Sequence, residues 1–328
     1  RSIPSALRAG RPFAAGRRIG EKQSSTLRAT MKQYICIDIG GTEIKHGVLD
    51  ENEKFLAKGK VPTEAFNGGP ALLKKVMGIA ADYLKERKAE GICVSTAGMV
   101  DVEKGEIFYA APLIPEYAGT KIKASMEAEF GLPCEVENDV NCAGLAEAVS
   151  GAAAGAQSAL CLTVGTGIGG CISLGGRGYH GWSDSACEVG DVHMDASDFQ
   201  TLGAASILVK RVAAAKGEPE AQWNGYRIFQ LAGAGDSICV EAIDQMCDCL
   251  GKGISNICYV LNPQIVVLGG GIMAQEEYLR PRLEKALARY LVSSIYEKTE
   301  LAFAKHQNDA GMRGAYYHFL ERQGKAQS

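Results

Sequence analysis

Short apolar runs alternate with stretches of helical spacing along most of the chain. Tyr34–Asp38 and Ile44–Leu49 read as two strands joined by a glycine turn, Asp50-Glu-Asn-Glu53 marks the next turn, and Leu56–Val61 reads as a third strand. Between Pro70 and Lys88, residues Leu72, Leu73, Val76, Ile79, Ala80 and Leu84 fall on one face, which predicts a helix. Gly91–Ser95 is a short buried strand before the turn Thr96-Ala-Gly98, and a helix around Thr120–Phe130 ends at Gly131-Leu-Pro133. Strand Cys134–Glu137 stops at Asn138-Asp139, and a helix follows over Val140–Ser150. Farther on come a long helix at Asp236–Leu261, a strand at Gln264–Leu268, a helix around Gln275–Leu291, a strand at Leu301–Lys305 and a last helix at Ala310–Arg322. Strands alternating with helices predict an α/β chain, and consecutive hairpin strands at the start of each half predict mixed sheets.

Two segments look like versions of one another. Tyr34-Ile-Cys-Ile-Asp38-Ile-Gly40-Gly41-Thr42-Glu-Ile-Lys45 and Ala159-Leu-Cys-Leu-Thr163-Val-Gly165-Thr166-Gly167-Ile-Gly169-Gly170 each run from an apolar strand through a glycine turn into a second strand. Such turns expose backbone N–H groups with no Cβ in the way, and those groups bind phosphate oxygens; the alternative is a plain tight hairpin. A third strand-to-glycine unit, Gln264–Leu268 followed by Gly269-Gly270-Gly271, strengthens the phosphate reading. Gly165-x-Gly167-x-x-Gly170 fits a dinucleotide fingerprint, but a dinucleotide site needs a helix there, and Cys171-Ile-Ser-Leu174 reads as a strand. No G-x-x-x-x-G-K-[ST] run is present.

The composition, 46% hydrophobic and 22% charged over 328 residues, fits a globular chain with room for two domains. Residues 1–30 carry seven Lys or Arg against one acid, and the remainder is acidic. That opening segment reads as a disordered or non-native leader, with a transit peptide as the alternative, and Met31 as the natural start. It is too short for a DNA-binding winged helix, and the acidic remainder gives no footprint for nucleic acid. No apolar run reaches membrane-spanning length. Eleven cysteines, mostly inside apolar runs, read as buried free thiols in a reducing cytoplasm. The Cys247-x-Cys249 pair lacks companion ligands for zinc.

Four positions carry candidate chemistry. Asp38 beside Gly40, Gly41 and Thr42 is electrostatically wrong for a phosphate cradle unless Mg²⁺ sits between them, held largely through water; the alternative is a turn-forming Asp. Lys45 reaches a phosphate or is a solvated strand lysine. Asp139, at a strand-to-helix junction with Asn138, reads either as an N-cap or as a base that takes the proton of a bound alcohol. Glu188, in Ala186-Cys-Glu188-Val-Gly190-Asp191-Val-His193, belongs to a polar loop cluster in which the lone His193 has a structural or solvent role.

Taken as an ordered set, Asp38-Ile-Gly-Gly-Thr42-x-x-Lys45, Glu137-Asn-Asp139-Val-Asn141, Gly165-Thr-Gly167-Ile-Gly169-Gly170 and Leu268-Gly-Gly-Gly271 resemble the ROK family, in the actin-like ATPase superfamily. The resemblance implies two RNase H-like α/β domains with mixed sheets around a cleft: an N-terminal domain over 31–135, a C-terminal one over 136–308, and a terminal helix in 309–328 that returns to the first. It implies ATP and Mg²⁺, with Asp38–Thr42 and Gly165–Gly170 as phosphate motifs and Gly269–Gly271 as adenosine motif. It further implies Asp139 as catalytic base, with Asn138 and Glu188 on sugar hydroxyls. The activity implied is transfer of the γ-phosphoryl group to O6 of a hexose or β-glucoside. N-acetylmannosamine kinase and glucokinase are alternatives, and a non-catalytic sugar sensor or regulator is the alternative of another class. Family members are commonly dimers, so a cytoplasmic homodimer is expected.

Three positions depart from the family pattern. Asp191 stands where many members have the histidine of Glu-x-Gly-His, whose imidazole contacts sugar, and the C-x-C-G-x-x-G-C zinc loop is absent between His193 and Leu202, so no structural zinc is expected. Ala111 stands where glucokinase-like members have Asn, removing a hydrogen bond to sugar, and Cys187 replaces the usual Gly before Glu188. Zinc-less members of this type include β-glucoside kinases, and the tail Gly311–Leu320 resembles theirs. Specificity is then expected to rest on the loops around Ala111, Glu188, Asp191 and Gln200.

Overall fold

The computed structural model describes residues 31–110, 113–194 and 197–324. The expectations for the leader, 1–30, and for Ala111 lie outside them.

The chain opens with a three-stranded antiparallel meander, β1 (Gln33–Ile39), β2 (Glu43–Asp50) and β3 (Phe55–Pro62), followed by helix α1 (Gly68–Glu86). Pro70 lies inside the first turn of α1 rather than at its start, where its missing N–H costs nothing. Strand β4 (Gly91–Thr96) leads into a small hairpin, β5 (Met99–Asp101) and β6 (Glu106–Tyr109), and then α2 (Ile122–Phe130), β7 (Cys134–Asn138) and α3 (Asp139–Ser150). The second copy is the hairpin β8 (Ser158–Val164) and β9 (Ile168–Leu174), with β10 (Arg177–Gly178) at its edge.

The middle of the chain holds β11 (His193–Met194), β12 (Ser197–Asp198), and helices α4 (Phe199–Gly203), α5 (Ala205–Lys216), α6 (Gly225–Gly233) and α7 (Ser237–Leu261). It closes with β13 (Ile265–Gly269), α8 (Glu276–Tyr290), α9 (Ser293–Tyr296), β14 (Glu300–Phe303) and α10 (Ala310–Arg322). The structure adds the β5–β6 hairpin, the short strands β10, β11 and β12, and helices α4, α5, α6 and α9 to the elements read from sequence. A single turn of 3₁₀ helix over Gly271–Ala274 separates β13 from α8.

The strands form two five-stranded sheets of matching order, β3-β2-β1-β4-β7 and β10-β9-β8-β13-β14. In each, a hairpin strand pairs antiparallel on one side and two strands add in parallel on the other. The likeness of the two glycine segments is therefore structural: β1–β2 and β8–β9 hold equivalent places.

Alternation along β1 divides the core around the first sheet. Ile35, Ile37 and Ile39 face α1 and α2, while Tyr34 and Cys36 face α10 and α3. α10 packs on β1, β4 and β7, although it follows β14 of the other sheet, and α3 packs on β8 and β9. The two helices meet at Gly314, where a Cβ would come 1.8 Å from the Cys142 carbonyl oxygen, so only glycine permits that approach. Nine of the eleven cysteines are buried, and all are free thiols. Among the described residues no helix is long and apolar enough to cross a membrane.

Candidate active site

Asp38 shares the face of Tyr34 and Cys36, so its carboxylate points at the α3–α10 layer. Strand register supplies its partners. Lys45 lies opposite on β2 with Nζ 3.8 Å from Oδ2, and Ser95 lies opposite on β4 and donates its hydroxyl to Oδ1 at 2.7 Å. Burial raises the Asp38 pKa, the Ser95 hydrogen bond and Lys45 opposing it. Lys45, read as a phosphate contact or a solvated strand lysine, is ion-paired to Asp38.

The same row continues onto β7, where Glu137 lies opposite Ser95. One residue later the strand ends and α3 begins. Asn138 is the N-cap: its Oδ1 accepts from the N–H groups of Val140 and Asn141 at 2.9 and 3.0 Å, and its Nδ2 donates to the Gly98 carbonyl at 2.9 Å. The alternatives for Asn138 and Asp139 therefore separate, with the cap falling to Asn138. Asp139 accepts one bond, from Val140 N–H at 2.9 Å. Burial, then the charges of Asp38 and Glu188, push its pKa up to about 7. Asp38 and Glu188, far apart in sequence, are thereby gathered around Asp139.

The first two glycine turns are open. A Cβ on Gly41 or on Gly165 would meet no atom within 4 Å, so neither glycine is demanded by packing, and the space in front of each is free for a ligand. Gly165 N–H bonds the Gly167 carbonyl at 2.9 Å, and Ser206, on α5, donates its hydroxyl to the Thr166 carbonyl at 2.6 Å. Gly169 is packed differently, against Val140 at the start of α3.

The third turn folds against the second. Gly270, at φ +108°, sits where a Cβ would come 2.2 Å from the Val164 carbonyl oxygen. Between these turns lies a cavity of about 340 Å³, lined by uncharged residues including Gly165, Ala205, Gly225, Tyr226, Phe229 and Gly271. Its far wall comes from α5 and α6, for which the sequence reading assigned no role. The available signals were the N-cap Asn224, whose side chain accepts from Arg227 N–H, and the spacing of Ile228, Phe229 and Ala232.

Glu188 is exposed and follows Cys187, which adopts φ +67°. Partial desolvation of its carboxyl, then the charge of Asp191, raises the Glu188 pKa. Asp191 accepts from Gln200 Nε2 at 2.8 Å, and the Gln200 carbonyl oxygen lies close against Gly167 and Gly190. Gln200 therefore connects the Glu188–Asp191 segment to the second glycine turn. The sequence reading gave no role to Ser95, Glu137, His180 or His318. The inward position of Glu137 on a strand was the available signal.

The ROK family model matches residues 34–322. The chain belongs to the ROK family. A β-glucoside kinase from Klebsiella pneumoniae is 31% identical over 292 residues, covering 87% of this chain and 95% of that one. A Clostridium perfringens protein described as "Uncharacterized protein CPE0188" is 47% identical over 295 residues, covering 90% and 100% respectively. Among solved structures, a ROK family glucokinase from Streptomyces griseus in complex with glucose and AMPPNP superposes with TM-score 0.77 at 26% identity, over 89% of this chain and 100% of that one. The α/β architecture with mixed sheets is that of the actin-like ATPase fold of the ROK sugar kinases.

Proposed function

We propose that this ROK protein is an ATP-dependent sugar kinase that phosphorylates the primary O6 hydroxyl of a hexose unit, free or as a β-glucoside. The carrying observation is Asp139: a carboxylate with its pKa near 7, where the edge strand β7 passes into α3, beside Asp38 and Glu188. A base of that pKa is matched to proton transfer at neutral pH. The names of the relatives support a sugar as acceptor.

In this reading the cavity between Gly165 and Gly271 takes the adenosine. Thr42 and the N–H group of Gly41, with those of Thr166 and Gly167, take the phosphates; the Gly40 N–H is already bonded to the Glu43 carbonyl at 3.1 Å, and Gly169 lies in the β8–β9 ladder opposite Thr163. Asn138 and Glu188 hold the sugar, Asn138 through the amide hydrogen its cap and Gly98 bond leave over. Asp139 accepts the hydroxyl proton as the sugar oxygen bonds to the γ-phosphorus. The bond from that phosphorus to the bridging oxygen breaks, and ADP leaves.

Mg²⁺ fits the donor set, since Asp38 and Asp139 are neighbouring carboxylates with Lys45 as the cation paired to Asp38. Asp38 would hold the ion largely through water, and the ion would neutralise charge on the phosphoryl oxygens. Closure of a 31–135 half, with 309–328, on a 136–308 half would exclude water from the transfer. A homodimer follows by analogy with the family.

The test is ADP release across glucose, cellobiose, gentiobiose, aryl β-glucosides, N-acetylglucosamine, N-acetylmannosamine, mannose and fructose. A β-glucoside preference is expected. Preference for free glucose or an N-acetyl sugar would move the assignment within the family, and no release with any sugar would leave a sensor.

A further inference from the structure

Glu137 is a buried carboxylate for which phosphoryl transfer has no direct use, and both of its oxygens are engaged. Oε1 accepts from Asn138 N–H at 2.7 Å and from Asn141 Nδ2 at 3.2 Å. Oε2 lies 2.5 Å from His180 Nε2 and 3.4 Å from His318 Nδ1. These contacts reach three parts of the chain: the start of α3, the segment after β10, and α10.

The three side chains form a candidate metal cluster, with ligand atoms within 4.8 Å of one another. The distances decide against an ion. Two ligands of one tetrahedral zinc, with bonds of about 2.0–2.1 Å, lie about 3.3 Å apart. At 2.5 Å, His180 Nε2 and Glu137 Oε2 are instead a charge-assisted hydrogen bond.

The charges agree with that geometry. Burial pushes the Glu137 pKa up, but the His180 hydrogen bond and the charges of His318 and His180 outweigh it, so the carboxylate titrates below its usual range. The Glu137 hydrogen bond raises His180, against burial, and Asp184 and Glu321 add to the rise. Burial lowers His318, which also faces Glu135 and Arg322, and its Nε2 has no hydrogen-bond partner among the described residues. The cluster is thus a carboxylate that raises the proton affinity of His180, with His318 behind it, whose proton affinity burial lowers.

His180 is joined directly to the segment that carries Glu188. Ala186 N–H closes a loop onto the His180 carbonyl at 3.1 Å, and Cys187 and Glu188 follow. From the structure we infer that Glu137 and His180 are positioning residues, a strut that holds the Glu188 segment in register with Asn138 and Asp139. The inference rests on the sugar-kinase reading, because Glu188 and Asp139 must then meet one substrate.

Because the His180 pKa is raised, the strut is fully present below the ordinary histidine value and is lost as pH rises through its raised value. Sugar KM and ATP KM, measured against pH in wild type, His180→Gln and His180→Ala, test the strut. His180→Ala should raise sugar KM at least tenfold with ATP KM within twofold. Glutamine keeps an N–H donor and should recover part of that loss. The wild-type rise in sugar KM at alkaline pH should be absent from both variants.

Trp182 is fully exposed two residues from His180, so its fluorescence reports the loop directly. If the alanine variant fails to fold, the glutamine variant carries the test. In it, sugar should change Trp182 emission only at concentrations raised in proportion to KM. Wild-type sugar KM in a folded His180→Ala, or in His180→Gln where alanine does not fold, would overturn the strut while leaving the kinase reading intact. So would one-to-one zinc binding in calorimetry that His180→Ala abolishes. Absence of ADP release by wild type is a failure of the kinase reading, and sugar titrations of Trp182 emission in wild type and variants then decide the strut alone.

Discussion

Gly311 lies directly against Asp38: a Cβ on Gly311 would come 2.4 Å from the carboxyl carbon and from one of its oxygens. The first turn of α10 is thereby packed against the carboxylate proposed to hold Mg²⁺, and a helix N-terminus favours negative charge there.

Gly311→Ala must therefore move either Asp38 or the start of α10. The expected result is a fall in kcat/KM of tenfold or more, about 1.4 kcal/mol of transition-state stabilisation. The control is Gly78→Ala, in the middle of α1, where a Cβ meets nothing within 4 Å. Alanine there should be neutral in activity and stabilising by about 1 kcal/mol. Equal kinetics for the two variants would count against a role for Asp38.

Asp139 ties activity to stability in opposite senses. Its pKa is raised from 3.8 to about 7, so between those values the folded state binds more protons than the unfolded one. Ionisation then favours unfolding as pH rises through about 7. The proposed base, however, works only when ionised, so kcat/KM should fall tenfold per pH unit below about 7. Asp139→Asn should lose at least a hundredfold in kcat and still unfold at a higher temperature than wild type at pH 8. A variant that keeps wild-type turnover would remove Asp139 as base.

Much of this site was legible in sequence because each piece is local: a strand, a turn, and a polar residue where the strand ends. Asp38 and Asp139 stand out as candidates that way, and so do the three glycine turns. What was not legible depends on register and on helix crossings. Ser95 and Glu137 acquire roles only because β4 and β7 align them with Asp38. His318 reaches Glu137 only because α10 packs on the first sheet after following a strand of the second. The wall contributed by α5 and α6 was missed for a related reason: Gly225 and Tyr226 have no phosphate-turn signature, and they face the cavity through tertiary packing.

Cys187 is held at φ +67°, a backbone conformation that costs a side chain energy and costs glycine none. Its side chain is half-buried and packs on the core of the second sheet, and burial pushes the thiol up to about 12, which leaves it unreactive near neutrality. Cys187→Gly trades that packing for relief of strain. Thermal unfolding should place the variant within about 1 kcal/mol of wild type. Thiol-reactive probes should label folded wild type no faster at this position than folded Cys187→Gly. A loss of several kcal/mol would show that packing, rather than backbone strain, governs the position.

The glycines of the second and third turns separate by what lies in front of them. Gly270 is fixed by structure: its φ of +108° and the 2.2 Å approach to Val164 leave no space for a Cβ. Gly270→Ala should be destabilised by several kcal/mol or fail to fold, since β13 and β8 would be forced apart. Gly165 has neither constraint, and a Cβ there projects into open space at the edge of the cavity. Gly165→Ala should keep wild-type thermal stability and raise ATP KM by about tenfold, near 1.4 kcal/mol of binding, with sugar KM little changed. Calorimetric titration with a non-hydrolysable ATP analogue measures the same loss without turnover. If Gly165→Ala binds the analogue as wild type does, the second turn is a hairpin and no phosphate clamp.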